Sequence, residues 1–197
     1  MLMRKLIPLV AVLALALAAA ASAATYTIDP VHSSVGFKVR HLMVSNVRGS
    51  FGDFAGSFVW EEGKPETWSV EATIQMTSID TGNAKRDDHL RSSDFFDVAT
   101  FPTMTFKSTQ VTAKDDGTYS LVGDLTLRGV TKAVTLDLEF IGQVADPQGN
   151  VRVGFMATGA IDRQDFGVSY STVMDNGGLA VGNEVQIELE IEAVLQK

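Results

Sequence analysis

Val185-Gln186-Ile187-Glu188-Leu189-Glu190-Ile191-Glu192-Ala193-Val194-Leu195 is the stretch whose reading decides the fold. Its odd positions are apolar, and Glu184, Gln186, Glu188, Glu190 and Glu192 oppose them. A period of two sends successive side chains to opposite faces, so this is a strand with one face in an apolar interior and one in water. Seven further runs share the pattern. The first places Val31, Ser33, Val35, Phe37, Val39 and His41 on one face. The second, near 51–60, aligns Phe54, Gly56, Phe58 and Trp60; the third aligns Trp68, Val70, Ala72, Ile74 and Met76. The fourth covers 103–113 with Met104 and Phe106, and the fifth carries Tyr119, Leu121, Gly123, Leu125 and Leu127. Val134, Leu136, Leu138 and Phe140 form the sixth; Val151, Val153, Phe155, Ala157, Gly159 and Ile161 form the seventh.

The connections fit this arrangement. Asp115-Asp116-Gly117, Arg128-Gly129 and the segment from Asp146 to Asn150 have turn chemistry, and such short links join antiparallel neighbours. Two connections are long: 79–102, with a charged helical piece around Ala84–Ser92, and 162–182, which reads as irregular. Long loops in a compact domain are often functional. The strand runs exceed the usual mode of about 5–6 residues, and closure leaves such strands no free edge. The expected fold is therefore all-β: an eight-stranded antiparallel barrel with a short helical segment in the long third connection. The Glu-rich and Thr-rich faces suit water, which puts the apolar face inside, the reverse of a membrane barrel.

Composition sharpens the class. The chain has 197 residues, no cysteine, and 16 Lys+Arg against 24 Asp+Glu, a formal net charge of −8. Residues 1–23 read as a signal peptide: Arg4 and Lys5, an apolar run from Leu6 to Ala20, then Ala21-Ser22-Ala23. Cleavage is expected after Ala23, leaving 24–197 as the barrel domain, periplasmic or secreted. Losing two cations moves the net charge from −8 to −10. That works against nucleic acid and anionic membrane surfaces, and stable membrane insertion is not expected. Without cysteine there are no disulfides, thiolate metal sites or cysteine nucleophile, so packing and strand pairing must hold an exported protein together.

The inward face as read carries no Asp, Glu, Lys or Arg. It is poorly equipped for catalysis and suited to an apolar ligand, so no enzyme is expected. Ser33, Gly56, Ala72, Gly123, Ala157, Gly159 and Ala193 are small inward residues among large ones. Either they leave a tubular void or they accommodate their neighbours and leave nothing open. The candidate ligand-binding set is Phe37, His41, Phe58, Trp60, Met76, Arg86, His89, Phe95, Phe106, Phe140 and Phe155. His41 ends an inward face, and Met76 is most simply core filler. Arg86, Asp87, His89, Arg91 and Asp94, beside Leu90, Phe95 and Phe96, could cap a barrel mouth and hold a polar head. His32, His41 and His89 lack metal-ligand spacing, and no dinucleotide, P-loop or nucleophile-elbow motif occurs, so no metal or cofactor is expected.

Several stretches together resemble the YceI-like family of exported bacterial proteins. They are Tyr26-Thr27-Ile28-Asp29 with His32-Ser33, Val35-Gly36-Phe37 and His41, then Gly49-Ser50-Phe51 leading to Phe54-Ala55-Gly56. The most specific is Ser78-Ile79-Asp80-Thr81-Gly82-Asn83 running through Arg86-Asp87-Asp88-His89-Leu90 to Asp94-Phe95-Phe96-Asp97 and Phe101-Pro102. Gly123 to Thr131, Arg163-Gln164-Asp165-Phe166-Gly167 and Val181 to Val185 complete the match. The resemblance implies a lipocalin-like barrel whose tunnel holds an amphiphilic chain: a polyisoprenoid such as a quinone tail or prenyl phosphate, or a fatty acid or its amide. It also implies no catalysis, and a homodimer by the same analogy. The leading expectation is an exported carrier or scavenger of an isoprenoid or acyl lipid. The alternatives are a filled barrel acting as an interaction or stress protein through loops 79–102 and 162–182, and an enzyme using His41 or His89 as general base on a bound lipid.

Overall fold

The computed structural model describes residues 23–174 and 177–197; the expected signal peptide, apart from Ala23, lies outside the described residues. The strands are β1 (Ala24–Ile28), β2 (Ser34–His41), β3 (Ser45–Phe51), β4 (Phe54–Trp60), β5 (Ser69–Gln75), β6 (Ile79–Asp80), β7 (Thr103–Ala113), β8 (Tyr119–Leu127), β9 (Val130–Ala145), β10 (Val151–Asp162) and β11 (Val181–Leu195). One helix, α1 (Ala84–Arg91), stands between β6 and β7. The sheet order is β1-β4-β5-β7-β8-β9-β10-β11, and β11 pairs back onto β1 to close the ring. Every pairing is antiparallel.

The remaining strands continue three of those eight. β1 and β2 lie in succession along β11, β4 and β3 pair with them in turn, and β5 and β6 pair with β4 and β3. The barrel thus has eight strands, three of them interrupted. The first interruption corrects the reading of the first run. Ile28 faces Ala193 and Ser34 faces Glu190, so residues 29–33 oppose only two residues of β11 and loop outward. Asp29 N–H donates to the Glu192 carbonyl, and the Ser33 hydroxyl both donates to that carbonyl and accepts the Glu192 N–H. The excursion breaks the alternation, and Val31, expected inside, is 82% exposed. The third run ends early for a similar reason: Met76–Ser78 forms a 3-10 turn, with Met76 N–H bonded to the Pro102 carbonyl at 2.9 Å.

Elsewhere the apolar faces point inward as expected. β11 carries Ile187, Leu189 and Ile191 toward the interior against Ala157 and Phe155 of β10, while Glu188 and Glu190 face out. One end of the barrel, here the upper, carries α1 and the loop segments 92–102, 163–174 and 177–180. The lower end carries the hairpins 114–118 and 146–150 and both termini of the barrel domain. At the upper end the β8–β9 hairpin turns on Arg128 (φ 51°) and Gly129 (φ 73°), two left-handed residues as a tight hairpin requires. The Arg128 guanidinium donates to the Gly167 carbonyl and, at 2.9 Å, to that of Ser93, joining the hairpin to both long loops.

Candidate functional site: an apolar chamber

A cavity of about 260 Å³ runs through the barrel. At roughly 10–15 Å³ per water-sized site, it has on the order of twenty such sites. Its lining on β11 extends from Val181 to Ile191. The ten residue steps between them span at most about 33 Å, or roughly 25 Å along the axis at usual barrel tilt. The wall is apolar side chains throughout, apart from Ser69 at one end and Arg163 at the other.

Both outcomes foreseen for the small residues occur together at Gly123, and Gly49, outside the expected set, repeats the arrangement. A Cβ on Gly49 would lie 2.4 Å from Phe37 Cζ, and one on Gly123 would lie 2.3 Å from Phe106 Cζ. Each glycine is a recess in the wall filled by a neighbouring ring. Rings that lie along the wall leave the lumen open, so accommodating large neighbours and keeping a void are one device.

The lower end is closed by aromatic rings. Trp60 stacks on Phe140 at 5.2 Å, Trp68 meets Tyr119 at 4.5 Å, and Phe155 stands edge-on to Phe58 at 5.6 Å. The Trp68 indole donates to the Glu61 carbonyl at 2.7 Å. That of Trp60 has no hydrogen-bond partner among the described residues and lies edge to face with Tyr26.

The upper end is covered by a lid built from α1 and the loops around it. Asn83 caps α1 by accepting the Arg86 N–H, but the helix has Leu90 as its one large apolar residue and cannot dock by apolar burial alone. Charged groups hold it instead. Buried Asp87 accepts the N–H and hydroxyl of Thr81. Arg86 donates to the Thr81 hydroxyl and carbonyl at 2.6 and 2.8 Å. Arg91 donates to the carbonyls of Thr77 and Ile79 at 2.9 and 2.8 Å. From beneath this frame Leu90, Phe95 and Phe96 line the cavity.

The structure therefore divides the candidate residues. Phe37, Phe58, Trp60, Phe95, Phe106 and Phe155 line the cavity. Met76 is buried core, and Phe140 backs the aromatic floor. His41 ends β2 at the upper rim without lining the cavity. Arg86 is committed to Thr81. His89 is exposed, bonded to Asp94 at 2.8 Å, with its ring edge-on to Phe95 and Tyr170. The three histidines stand on separate elements. Asp29, His32 and Glu192 do gather, with ligand atoms within 4.8 Å of one another, but Arg152 donates to both carboxylates and fills the cationic role there.

One residue corrects the expectation of a charge-free interior: Arg163, buried at the upper end and lining the cavity. It follows β10 in a 3-10 turn, Arg163–Phe166, rather than lying in any alternating run. Its only signal in the sequence was the motif Arg163-Gln164-Asp165-Phe166-Gly167.

A closed antiparallel barrel around one apolar chamber, with a lid at one end, defines a lipocalin-like binding protein. The YceI-like domain family model matches residues 26–193, and the chain belongs to that family. Over 176 residues it is 44% identical to Protein YceI of Escherichia coli O157:H7, covering 88% of each chain. Among solved structures it is similar to Burkholderia cenocepacia BcnA, with TM-score 0.73 and 26% identity over 84% of this chain and 98% of that one. A domain of Saccharophagus degradans described as polyisoprenoid binding shares the fold at TM-score 0.61, with 14% identity over 89% of this chain and 100% of that one.

Proposed function

We propose that this protein is an exported carrier or scavenger of a long-chain amphiphile, an isoprenoid or acyl lipid, held tail-inward in the barrel. The apolar chamber is the observation that carries this reading. Each buried methylene contributes about 0.8 kcal/mol before association and ordering are set against it. The chamber also counts against a filled barrel acting only through its loops. Among the described residues its wall presents no histidine or carboxylate, and neither His41 nor His89 lines it, which counts against chemistry on the bound chain. The six candidate aromatics that line the chamber are among the tail contacts, and the ligand passes through the lid rather than through the interlocked floor. The polyisoprenoid-binding description of the Saccharophagus degradans domain supports an isoprenoid tail by shared fold. Export follows from the segment over 1–23, with cleavage after Ala23.

Native mass spectrometry of protein secreted from its own kind of host tests this reading. A co-purifying lipid is expected, identified after extraction. Protein that is uniformly ligand-free and also refuses prenyl and acyl lipids overturns it.

A further inference from the structure

Arg163 is the one ionic side chain lining the chamber among the described residues, and it is 4% exposed. Its Nε donates to the Gly182 carbonyl at 2.9 Å, and one terminal nitrogen donates to that of Val168 at 2.5 Å. The other donates to the Val181 carbonyl at 3.2 Å, with Asn183 Oδ1 only at 3.5 Å. A guanidinium has five N–H groups, so three firm bonds leave donors over. No carboxylate pairs with it among the described residues. Asp162, whose field it feels, is exposed and accepts the Gln164 N–H instead.

The three carbonyls explain a donor at this position; they do not explain a buried cation. A neutral amide, with two N–H groups, could hold two of these carbonyls and staple the turn to β11 without taking a charge out of water, and a buried charge without a counter-charge is costly. We infer that the chamber's ligand carries an anionic head, a carboxylate or phosphate monoester at the end of its apolar chain, and that Arg163 is the counter-ion for that head.

The inference rests on the carrier reading and adds the ligand's head chemistry and its orientation. The head sits under the lid beside Arg163, and the tail runs down toward the Trp60–Phe140 floor. Amides, alcohols and quinones with the same tail leave the guanidinium unpaired.

Delipidated full-length mature protein, titrated at pH 8 with matched pairs of probes, provides the test: palmitate against palmitamide, and farnesyl phosphate against farnesol. Charge-assisted hydrogen bonds lead us to expect roughly a ten- to hundredfold preference for the anion in at least one pair. The preferred pair names carboxylate or phosphate as the head. Arg163→Gln is expected to reduce that preference to about threefold or less, read as the ratio within each pair so that any loss common to both members cancels, and Arg163→Lys to keep part of it. If Arg163→Gln does not fold, the wild-type pairs alone decide. Equal affinity within both pairs overturns the inference and leaves the carrier reading standing. Failure of all four probes to bind overturns both.

Discussion

Gly123→Ala adds one methyl group to the wall, and its consequences can be worked from the surrounding atoms. The new Cβ falls 2.3 and 2.7 Å from Phe106 Cζ and Cε2 and 2.7 Å from the Lys107 carbonyl oxygen, where ordinary contact begins at 3.4 Å. The ring must retreat by about 1.1 Å, and the carbonyl by about 0.7 Å. A ring lying on the wall retreats into the lumen. A carbonyl of β7 retreats only by parting β7 from β8. Overpacking of this kind costs about 1–3 kcal/mol. For a domain of this size each kcal/mol moves the melting temperature by about 2–4 °C, so a fall of roughly 2–12 °C is expected. Thermal melts of delipidated protein measure it, and palmitate titration should show weaker binding because the ring narrows the chamber. Adding Phe106→Leu removes the ring conflict but not the carbonyl conflict, so the double variant should recover part of both losses. Gly49→Ala is the comparison. Its Cβ meets only side-chain atoms, Phe37 at 2.4 and 2.7 Å and Thr81 Cγ2 at 2.8 Å, so it should be milder. A Gly123→Ala protein melting within about 1 °C of wild type, with unchanged palmitate affinity, would refute the idea that glycines keep the lumen open.

Three further outcomes are expected. Ala157→Trp, at a buried lining position of β10, should fill the middle of the chamber and abolish lipid uptake in titrations while the far-ultraviolet spectrum stays that of a barrel; undiminished uptake counts against the chamber as the binding site. Hydrogen bonds hold the carboxyls of Asp29 (from His32 and Arg152) and Asp146 (chiefly from Arg152) well below the usual carboxylate range. Their contribution to stability is therefore complete above the unfolded value near pH 4 and is lost as pH falls toward the folded values. Urea melts of Arg152→Met should accordingly lose less stability than wild type between about pH 4 and pH 2, and a slope as steep as wild type contradicts the assignment. Arg91→Ala removes two bonds to backbone carbonyls, each about 1.5–3 kcal/mol to a charged donor, and should speed hydrogen exchange over 80–92 while leaving β7–β11 unchanged.

Where the chain alternates without interruption, its residues state their own geometry. Tyr119–Leu127 has the same bounds in the structure as in the pattern. Thr103–Ala113 also keeps its bounds, but a register shift between Ser108 and Gln110 moves the inward parity from Met104 and Phe106 to Val111. The pattern fails where hydrogen bonds override it. The 29–33 excursion is held by Asp29 and Ser33 on the Glu192 backbone, and a local period carries no trace of a partner so far along the chain. β1 and β3 escaped the pattern because β1 is only five residues and β3, SNVRGSF, alternates weakly. The site divides in the same way. Aromatics on inward faces line the chamber because the face of a strand residue is fixed by its parity. Arg86 and His89 had the right chemistry for a head group, but composition cannot tell a free side chain from one already bonded to the Thr81 carbonyl or a neighbouring aspartate. Arg163 was hidden because it lies past the end of β10, where alternation no longer assigns a face.

The chamber sets a thermodynamic problem that its ligand resolves. Interior voids forgo about 24 cal/mol per Å³, so roughly 6 kcal/mol of packing is absent from a lumen of about 260 Å³. That rivals the whole net stability of an ordinary domain, about 5–15 kcal/mol, and no disulfide supplements it. What supports the empty form is the closed ladder, in which β11 is paired along both edges and the ring has no free end. An apolar tail restores the missing contacts whatever its identity, so the tail supplies affinity and little discrimination. Affinity should then rise by about 0.8 kcal/mol per added methylene in a saturated fatty-acid series and level off once the tail reaches the Trp60–Phe140 floor. Ligand at a hundred times its Kd should add about 2.7 kcal/mol to stability. A series that is flat from the shortest member places the tail outside the barrel. A series that climbs and then levels off leaves selectivity to the upper end of the chamber, where Arg163 is the one charged group in the wall among the described residues.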